Sequence, residues 1–168
     1  MSTHAYLLLK GSLQGFITAG VASEESIGTA YRTEMTDEIL IQSFSHQIIV
    51  PRDVQSGLPT GRASVHKPLK ITKLVDKASP LIMGALNSSE KFSTFELVWY
   101  RPSNQAGPEE PYYAIALEEA VVVDVQTNND PEADIFSEEV YFAYQKITWT
   151  HLAGNTQISY DLRTGKLS

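Results

Sequence analysis

The sequence predicts a mainly β single domain with one short helix and long loops. Three observations carry that reading. Apolar residues recur with period two through most of the chain, as along half-buried strands. Only one segment, "SPLIMGAL", combines a helix start with a helical stripe. The last strand-like run, "EEVYFAYQKITWTH", moves its apolar set from even to odd positions, an irregularity that curved sheets need.

Taken in order, Ala5, Leu7 and Leu9 alternate with Tyr6, Leu8 and Lys10. "DEILIQSFSHQIIV" places Phe44, His46, Ile48 and Val50 on one side of a strand. "STFELVWYR" sets Phe95, Leu97 and Trp99 against Glu96, Val98 and Tyr100, and "PYYAIALEEAVVVDV" puts Tyr113, Ile115 and Leu117 on one face. The turn-forming "PSNQAGPEEP" between them predicts a hairpin or adjacent antiparallel strands. In the final run Val140, Phe142 and Tyr144 are even whereas Ile147 and Trp149 are odd. A β-bulge near Gln145 and Lys146 would return both groups to one face. The alternative is a strand that changes neighbours and buries both faces.

For the helix, Ser79 is the expected N-cap and Pro80 the first helical residue. Leu81, Ile82, Ala85 and Leu86 form the stripe before the polar stop "NSSE". Such a helix, about two turns long, is unstable alone and must be held against the sheet. "GSLQGFITAGVASEESIGTAYRTEMT" and "PRDVQSGLPTGRAS" lack sustained periodicity and are expected as long loops. Loops of that length in a compact domain are usually functional or disordered.

Composition narrows the function. The 168 residues suit one domain, residues 1–168. Acidic residues outnumber basic ones, 20 against 13, for a net charge of −7, which argues against a nucleic-acid partner. The absence of cysteine removes disulfides, thiolate nucleophiles and cysteine-ligated zinc. The N-terminal apolar run, Ala5 to Leu9, is too short for a signal-peptide core or a membrane span. A cytoplasmic origin without membrane insertion is therefore expected.

Catalytic motifs are missing: there is no G-x-S-x-G elbow, phosphate-binding glycine loop, G-x-G-x-x-G or H-E-x-x-H. His46, His66 and His151 are candidates for a metal or acid–base site with Asp53, Asp76 or Asp124. No two of these histidines share a ligand-like local spacing, so they read as half-buried polar tips on a sheet. Glu118-Glu119 and Glu138-Glu139 are neighbours on a strand and point to opposite faces, so neither makes a working carboxylate pair. No catalytic residue, metal or cofactor is predicted. Two other function classes fit the composition. One is a monomeric ligand- or carbohydrate-binding barrel, given eight Tyr and two Trp. The other is a small hydrolase using His46 or His151.

Charge is more informative. Arg52, Arg62, Lys67, Lys70, Lys73 and Lys77 make one segment basic, while Pro102 to Gln145 holds ten acidic side chains, Glu109 to Glu139, and no Lys or Arg. On different surfaces these segments would draw copies together head to tail; on one surface they neutralise each other inside the chain. The second strand faces also carry Val98, Tyr100, Tyr112, Ala114 and Ala116, apolar enough to need cover from the loops or a neighbouring subunit. Pro68 marks a strand start or an edge. The residues predicted at a subunit or ring contact are Arg52, Asp53, Gln55, Arg62, Lys70, Lys73, Glu118, Asp124 and Glu139.

The blocks "GFITAG", "DEILIQSFSHQIIVPRDVQSGLPTGR", "HKPLKITKLVDKASPLIMGAL", "ELVWYR" and "YQKITWTHLAG" together resemble the Hcp family, the hemolysin-coregulated tube proteins of bacterial type VI secretion systems. The resemblance runs collinearly from about Tyr6 to Gly154, with residues 1–154 as a family-like core. Its most specific marks are His66-Lys67-Pro68, the helix start Lys77 to Pro80 and the closing K-I-x-W-x-H from Lys146. Residues 155–168 depart from it: relatives often carry an Asp-Trp-Arg cluster where this chain has Tyr160, Asp161, Leu162 and Arg163. The resemblance implies a compact β-barrel of two curved antiparallel sheets with one flanking helix. It also implies homohexameric rings that stack into a hollow tube, a contractile sheath, a VgrG-type spike and effectors carried in the lumen. Such a protein is structural rather than enzymatic, made in the bacterial cytoplasm and secreted without a signal peptide. No C-terminal toxin extension is expected.

Overall fold

The computed structural model describes residues 3–27, 37–104 and 107–168. In chain order the elements begin with β1 (His4–Gly11), β2 (Gly15–Phe16), α1 (Glu24–Ile27), β3 (Ile39–Ile41), β4 (Ser43–Ser45), β5 (Ile48–Ile49), β6 (Val65–His66) and β7 (Leu69–Leu74). They continue with α2 (Ser79–Ser88), β8 (Phe92–Arg101), β9 (Glu110–Glu118), β10 (Val121–Asp130), β11 (Ile135–Ala143), β12 (Lys146–His151), β13 (Thr156–Asp161) and β14 (Lys166–Leu167). One antiparallel sheet has the order β14-β13-β12-β9-β8-β1-β2, with β3 also on β1; a second runs β10-β11-β7-β4, and β5 with β6 makes a separate ribbon.

The mainly β class is the one the sequence predicts, and β8 and β9 form the expected antiparallel pair, with a register shift at Trp99/Tyr100. The alternation rule explains which side each strand buries. Leu7, Leu9, Phe95, Leu97, Ile115, Leu117 and Ile147 of the first sheet share one core with Leu69, Ile71, Val140 and Phe142 of the second. Phe142 meets Phe95 edge-on at 4.9 Å, so the aromatic contact ties the two sheets together.

The phase change in the last strand-like run is a change of sheet, not a bulge. β11 pairs with β10 and β7, whereas β12 pairs with β9 and β13. Tyr144 and Gln145 form the corner, held by Gln145 N–H to Glu118 O at 3.1 Å and Leu162 N–H to Gln145 O at 2.8 Å. The same happens at Gln42: β3 pairs with β1 through buried Ile39 and Ile41, then β4 pairs with β7 through half-buried Phe44. "DEILIQSFSHQIIV" is accordingly three short strands rather than one, and Ile48 and Val50 stay 37% exposed.

Helix α2 stands where expected, but Ala78 and not Ser79 is its N-cap, and no side chain caps it. Ser79 is drawn inward instead: its hydroxyl donates to Glu138 Oε1 at 2.7 Å and accepts from Asp76 N–H at 3.0 Å. Ile82 and Ala85 are buried against the sheet, while Leu81 remains exposed. The helix ends as Ser89 turns left-handed (φ 54) and Glu90 N–H reaches back to Ala85 O at 3.0 Å. The chain has a second, one-turn helix, α1, in the segment expected to be a loop; the rest of that expectation, 28–36, lies outside the described residues. Glu90 also fixes the turn after β1, accepting Leu13 N–H and Gln14 N–H, each at 2.6 Å.

Candidate assembly surfaces

The β5–β6 ribbon carries an arm. From Val50 to Ser64 the chain lies outside regular strands, yet its tip is internally ordered. Arg52 and Pro59 form an antiparallel bridge. Within it Asp53 Oδ1 accepts Gln55 N–H at 2.9 Å and Ser56 N–H at 2.8 Å, an Asx turn of the kind short acidic side chains make. These donors, Ser56 first, hold the Asp53 carboxyl below the usual carboxylate range. Gly57 takes the left-handed conformation (φ 72) that closes the turn, and its N–H returns to Asp53 O at 2.9 Å. Asp53 thus shapes the arm, and the side chains it leaves outward are Val54, 100% exposed, and Leu58, 66% exposed, with Arg52, Gln55 and Arg62 also exposed.

At the root of the arm two histidines meet one phenol. Tyr144 OH lies 2.9 Å from His46 Nε2 and 2.7 Å from His66 Nδ1, while the Tyr160 ring stacks on His66 at 5.0 Å and 11°. Burial lowers the pKa of both histidines, with the neighbouring His66 lowering His46 further, and burial raises that of Tyr144. By spacing alone these histidines are separate tips; the joint is made by Tyr144, the corner residue whose phase marks the change of sheet. His151 stands apart, its Nδ1 accepting Gly154 N–H at 2.8 Å. None of the proposed carboxylate partners joins either group. Asp53 is on the arm, Asp76 is inside the subunit and Asp124 is exposed on β10. Among the described residues no three His, Cys, Asp or Glu side chains form a group that could hold a metal ion.

β7 carries two kinds of lysine. β7 is an internal strand between β11 and β4, so Pro68 marks its start and not a sheet edge. Lys73 points into the core and is fully buried, 0% exposed. Its Nζ donates to Glu138 Oε1 at 2.5 Å, Leu74 O at 3.0 Å and Ser79 Oγ at 3.1 Å, and lies 3.0 Å from Asp76 Oδ1. Burial pushes the Asp76 carboxyl above its ordinary range even with Lys73 beside it. A side chain so enclosed cannot meet a neighbouring subunit, which removes Lys73 from the contact set. Lys70 faces outward and pairs with Glu139 at 3.0 Å, and Lys146 pairs with Glu118 at 3.4 Å. The basic and acidic segments therefore neutralise each other partly within one chain. Among the described residues Arg52, Arg62 and Asp124 make no ion pair.

The second face of the first sheet retains Val98, Tyr100, Tyr112, Ala114 and Ala116, all partly exposed. Beside them residues 155–168 supply β13 and the edge strand β14, with Ile158 and Leu167 exposed. Arg163 grips Asp161 in that tail at 2.9 Å and, with its backbone N–H, holds the carboxyl down to about 2. The exposed arm, this half-apolar face and the β14 edge are open surfaces among the described residues.

A family model described as "Type VI secretion system effector, Hcp" matches residues 6–151. A "Major exported protein" of Pseudomonas aeruginosa is 46% identical over 170 residues, covering 98% of both chains. The crystal structure of an Hcp protein superposes with a TM-score of 0.88 at 34% identity, covering 94% of this chain and 98% of that one. A secreted Hcp protein of Pseudomonas aeruginosa does so with a TM-score of 0.82 at 41% identity, covering 95% and 98%. Together the sequence match and the shared fold show that the chain belongs to the Hcp family of type VI secretion proteins.

Proposed function

We propose that this protein is a structural subunit of the type VI secretion inner tube, exported rather than catalytic. Six copies close into a ring, rings stack into a hollow tube that shelters effectors in its lumen, and a contractile sheath ejects the tube behind a VgrG-type spike. It is made in the bacterial cytoplasm and leaves through the apparatus. The observation that carries the reading is an arm whose tip residues Val54 and Leu58 touch no core of their own chain, on a family-typical barrel. Arg52, Gln55 and Arg62 on the arm, with Asp124, Glu118, Glu139 and Lys70 on the barrel, are the proposed contact residues. Asp53 holds the arm in shape.

Native mass spectrometry at micromolar concentration should give six chains of 18.6 kDa each; a mass of one chain overturns the proposal. One chain would favour the ligand-binding reading instead, for which an open groove lined by Phe44, Ile48, Trp99, Tyr113 and Trp149 is the supporting feature.

Salt separates the two levels of assembly. Exposed ion pairs are weak, and the screening length falls from about 10 Å at 0.1 M to about 3 Å at 1 M. Rings held by sheet pairing and apolar burial should persist at 1 M salt, while stacking that uses Arg62 should weaken. Sedimentation of the wild type and Arg62→Glu at both salt concentrations tests this. Equal stacking in all four samples would mean that the remaining charge asymmetry has no part in assembly.

A further inference from the structure

The hydroxyl shared by two histidines has a limited capacity for protons. A phenol offers one hydrogen and accepts through its oxygen lone pairs. With both imidazoles neutral, one ring N–H donates to Tyr144 and the Tyr144 hydroxyl donates to the bare nitrogen of the other ring. With one imidazole protonated the same two bonds survive, the cation donating and the neutral ring accepting. With both protonated the phenol hydrogen has no acceptor in this part-buried joint, and two cations face each other with ring centroids 6.5 Å apart.

The joint sits where the arm leaves the barrel. His66 ends β6 opposite Ile48 of β5, and Lys67 N–H donates to Gln47 O at 3.1 Å between the two legs of the ribbon. Tyr144 belongs to the corner between the two sheets, so beyond the chain's own passage into β4 and β7 one oxygen ties a side chain of each leg to that corner. We propose that His46, Tyr144 and His66 form a proton-operated latch that holds the 48–66 arm to the barrel near neutral pH and releases it when both imidazoles are charged.

Among the described residues its surroundings supply no counter-ion. The titratable groups facing it are Tyr160 from β13, stacked on His66, and the latch residues themselves; Phe44 of β4 and Trp149 of β12 contribute apolar rings. A backbone hydrogen bond with Lys67 favours the charged His46 but is outweighed by burial and the neighbouring His66, and no carboxylate contributes to the shift of either histidine. Asp161, next to Tyr160, is tied to Arg163, and His151 to Gly154. The direction in pH follows. Both imidazoles have lowered pKa values in the closed latch, whereas a released arm restores them to about 6.5, so the open form binds more protons. Closure is intact above about 6.5 and is lost as pH falls through the lowered values. The latch belongs to the single chain and does not depend on what the arm touches.

Hydrogen exchange of the full chain at pH 7.5 and 5.0, corrected for the intrinsic pH dependence of exchange, tests it. Arm-root amides, Lys67 N–H above all, should lose about tenfold or more of their protection at pH 5.0 relative to the amides of β8 and β9. His66→Asn keeps a side-chain acceptor for Tyr144 but cannot take up a proton, and should hold the arm at both pH values. His46→Gln serves the same purpose if the first variant does not fold. Undiminished protection in the wild type at pH 5.0 overturns the latch. So does an equal loss in the wild type and the asparagine or glutamine variant, because the acid effect would then arise elsewhere.

Discussion

Lys73→Ala should destabilise the folded chain by about 3–5 kcal/mol, the cost of leaving buried carboxylates without their partner. The side chain is fully buried and reaches Glu138, Asp76 and Ser79 at once, so its removal strands two acids that lie inside the subunit with it. Water cannot easily take its place. The loss would also loosen the start of α2, because the Ser79 hydroxyl that bonds Lys73 bonds Asp76 N–H too. Lys70→Ala, three residues away on the exposed side of the same strand, should leave the unfolding midpoint nearly unchanged, since its partner Glu139 stays hydrated. Pairing Lys73→Met with Glu138→Gln and Asp76→Asn should recover part of the loss by removing the unpaired charges. Urea unfolding of the four proteins reads this directly. A Lys73→Ala midpoint within the error of Lys70→Ala would show that the cluster contributes nothing.

That contrast marks how far the sequence could be read. Strand against helix was legible because period-two burial and a proline-started stripe are local signals, and both β8 and α2 appear where those signals place them. The exit from one sheet into the other left a trace as well, the parity change at Tyr144 and Gln145, but a bulge and a change of sheet leave the same trace. Only the pairing of β11 and β12 with different neighbours separates them. Lys73 was illegible for a stronger reason. In Leu69–Leu74 it occupies the inward parity with Leu69 and Ile71, and a charged residue at an inward position is ordinarily read as solvent-facing until its partners are known. Those partners, Glu138 and Asp76, come from a strand 65 residues on and from the turn that follows. The histidine joint failed in the same way: His46, His66 and Tyr144 have no common spacing, and it is the corner that brings them together. Family resemblance supplied the architecture without supplying these contacts.

Replacing residues 53–58 of the arm with a Gly-Ser-Gly link should abolish assembly while leaving the two sheets folded. The change is geometrically mild, because Arg52 and Pro59 already face each other across an antiparallel bridge that a short turn can close. It removes Val54 and Leu58, which lie outside the core of the chain, and it leaves the latch at the arm root untouched. Loop closure changes by only about 0.6 kcal/mol for each doubling of length, so the unfolding midpoint should hardly move. The assembled state has more to lose. Two apolar side chains and the turn that presents them would be missing from every copy, and in a closed or stacked assembly each copy both gives and receives that contact. Sedimentation and native mass spectrometry should therefore shift toward single chains or unstacked rings, with an unchanged urea midpoint showing that the barrel survives. Single chains would place the arm at the contact between subunits of one ring, whereas intact unstacked rings would place it between rings. Wild-type tubes from the shortened chain would mean that the arm is solvent-facing decoration, and assembly would have to rest on the Val98–Ala114–Ala116 face and the sheet edges alone.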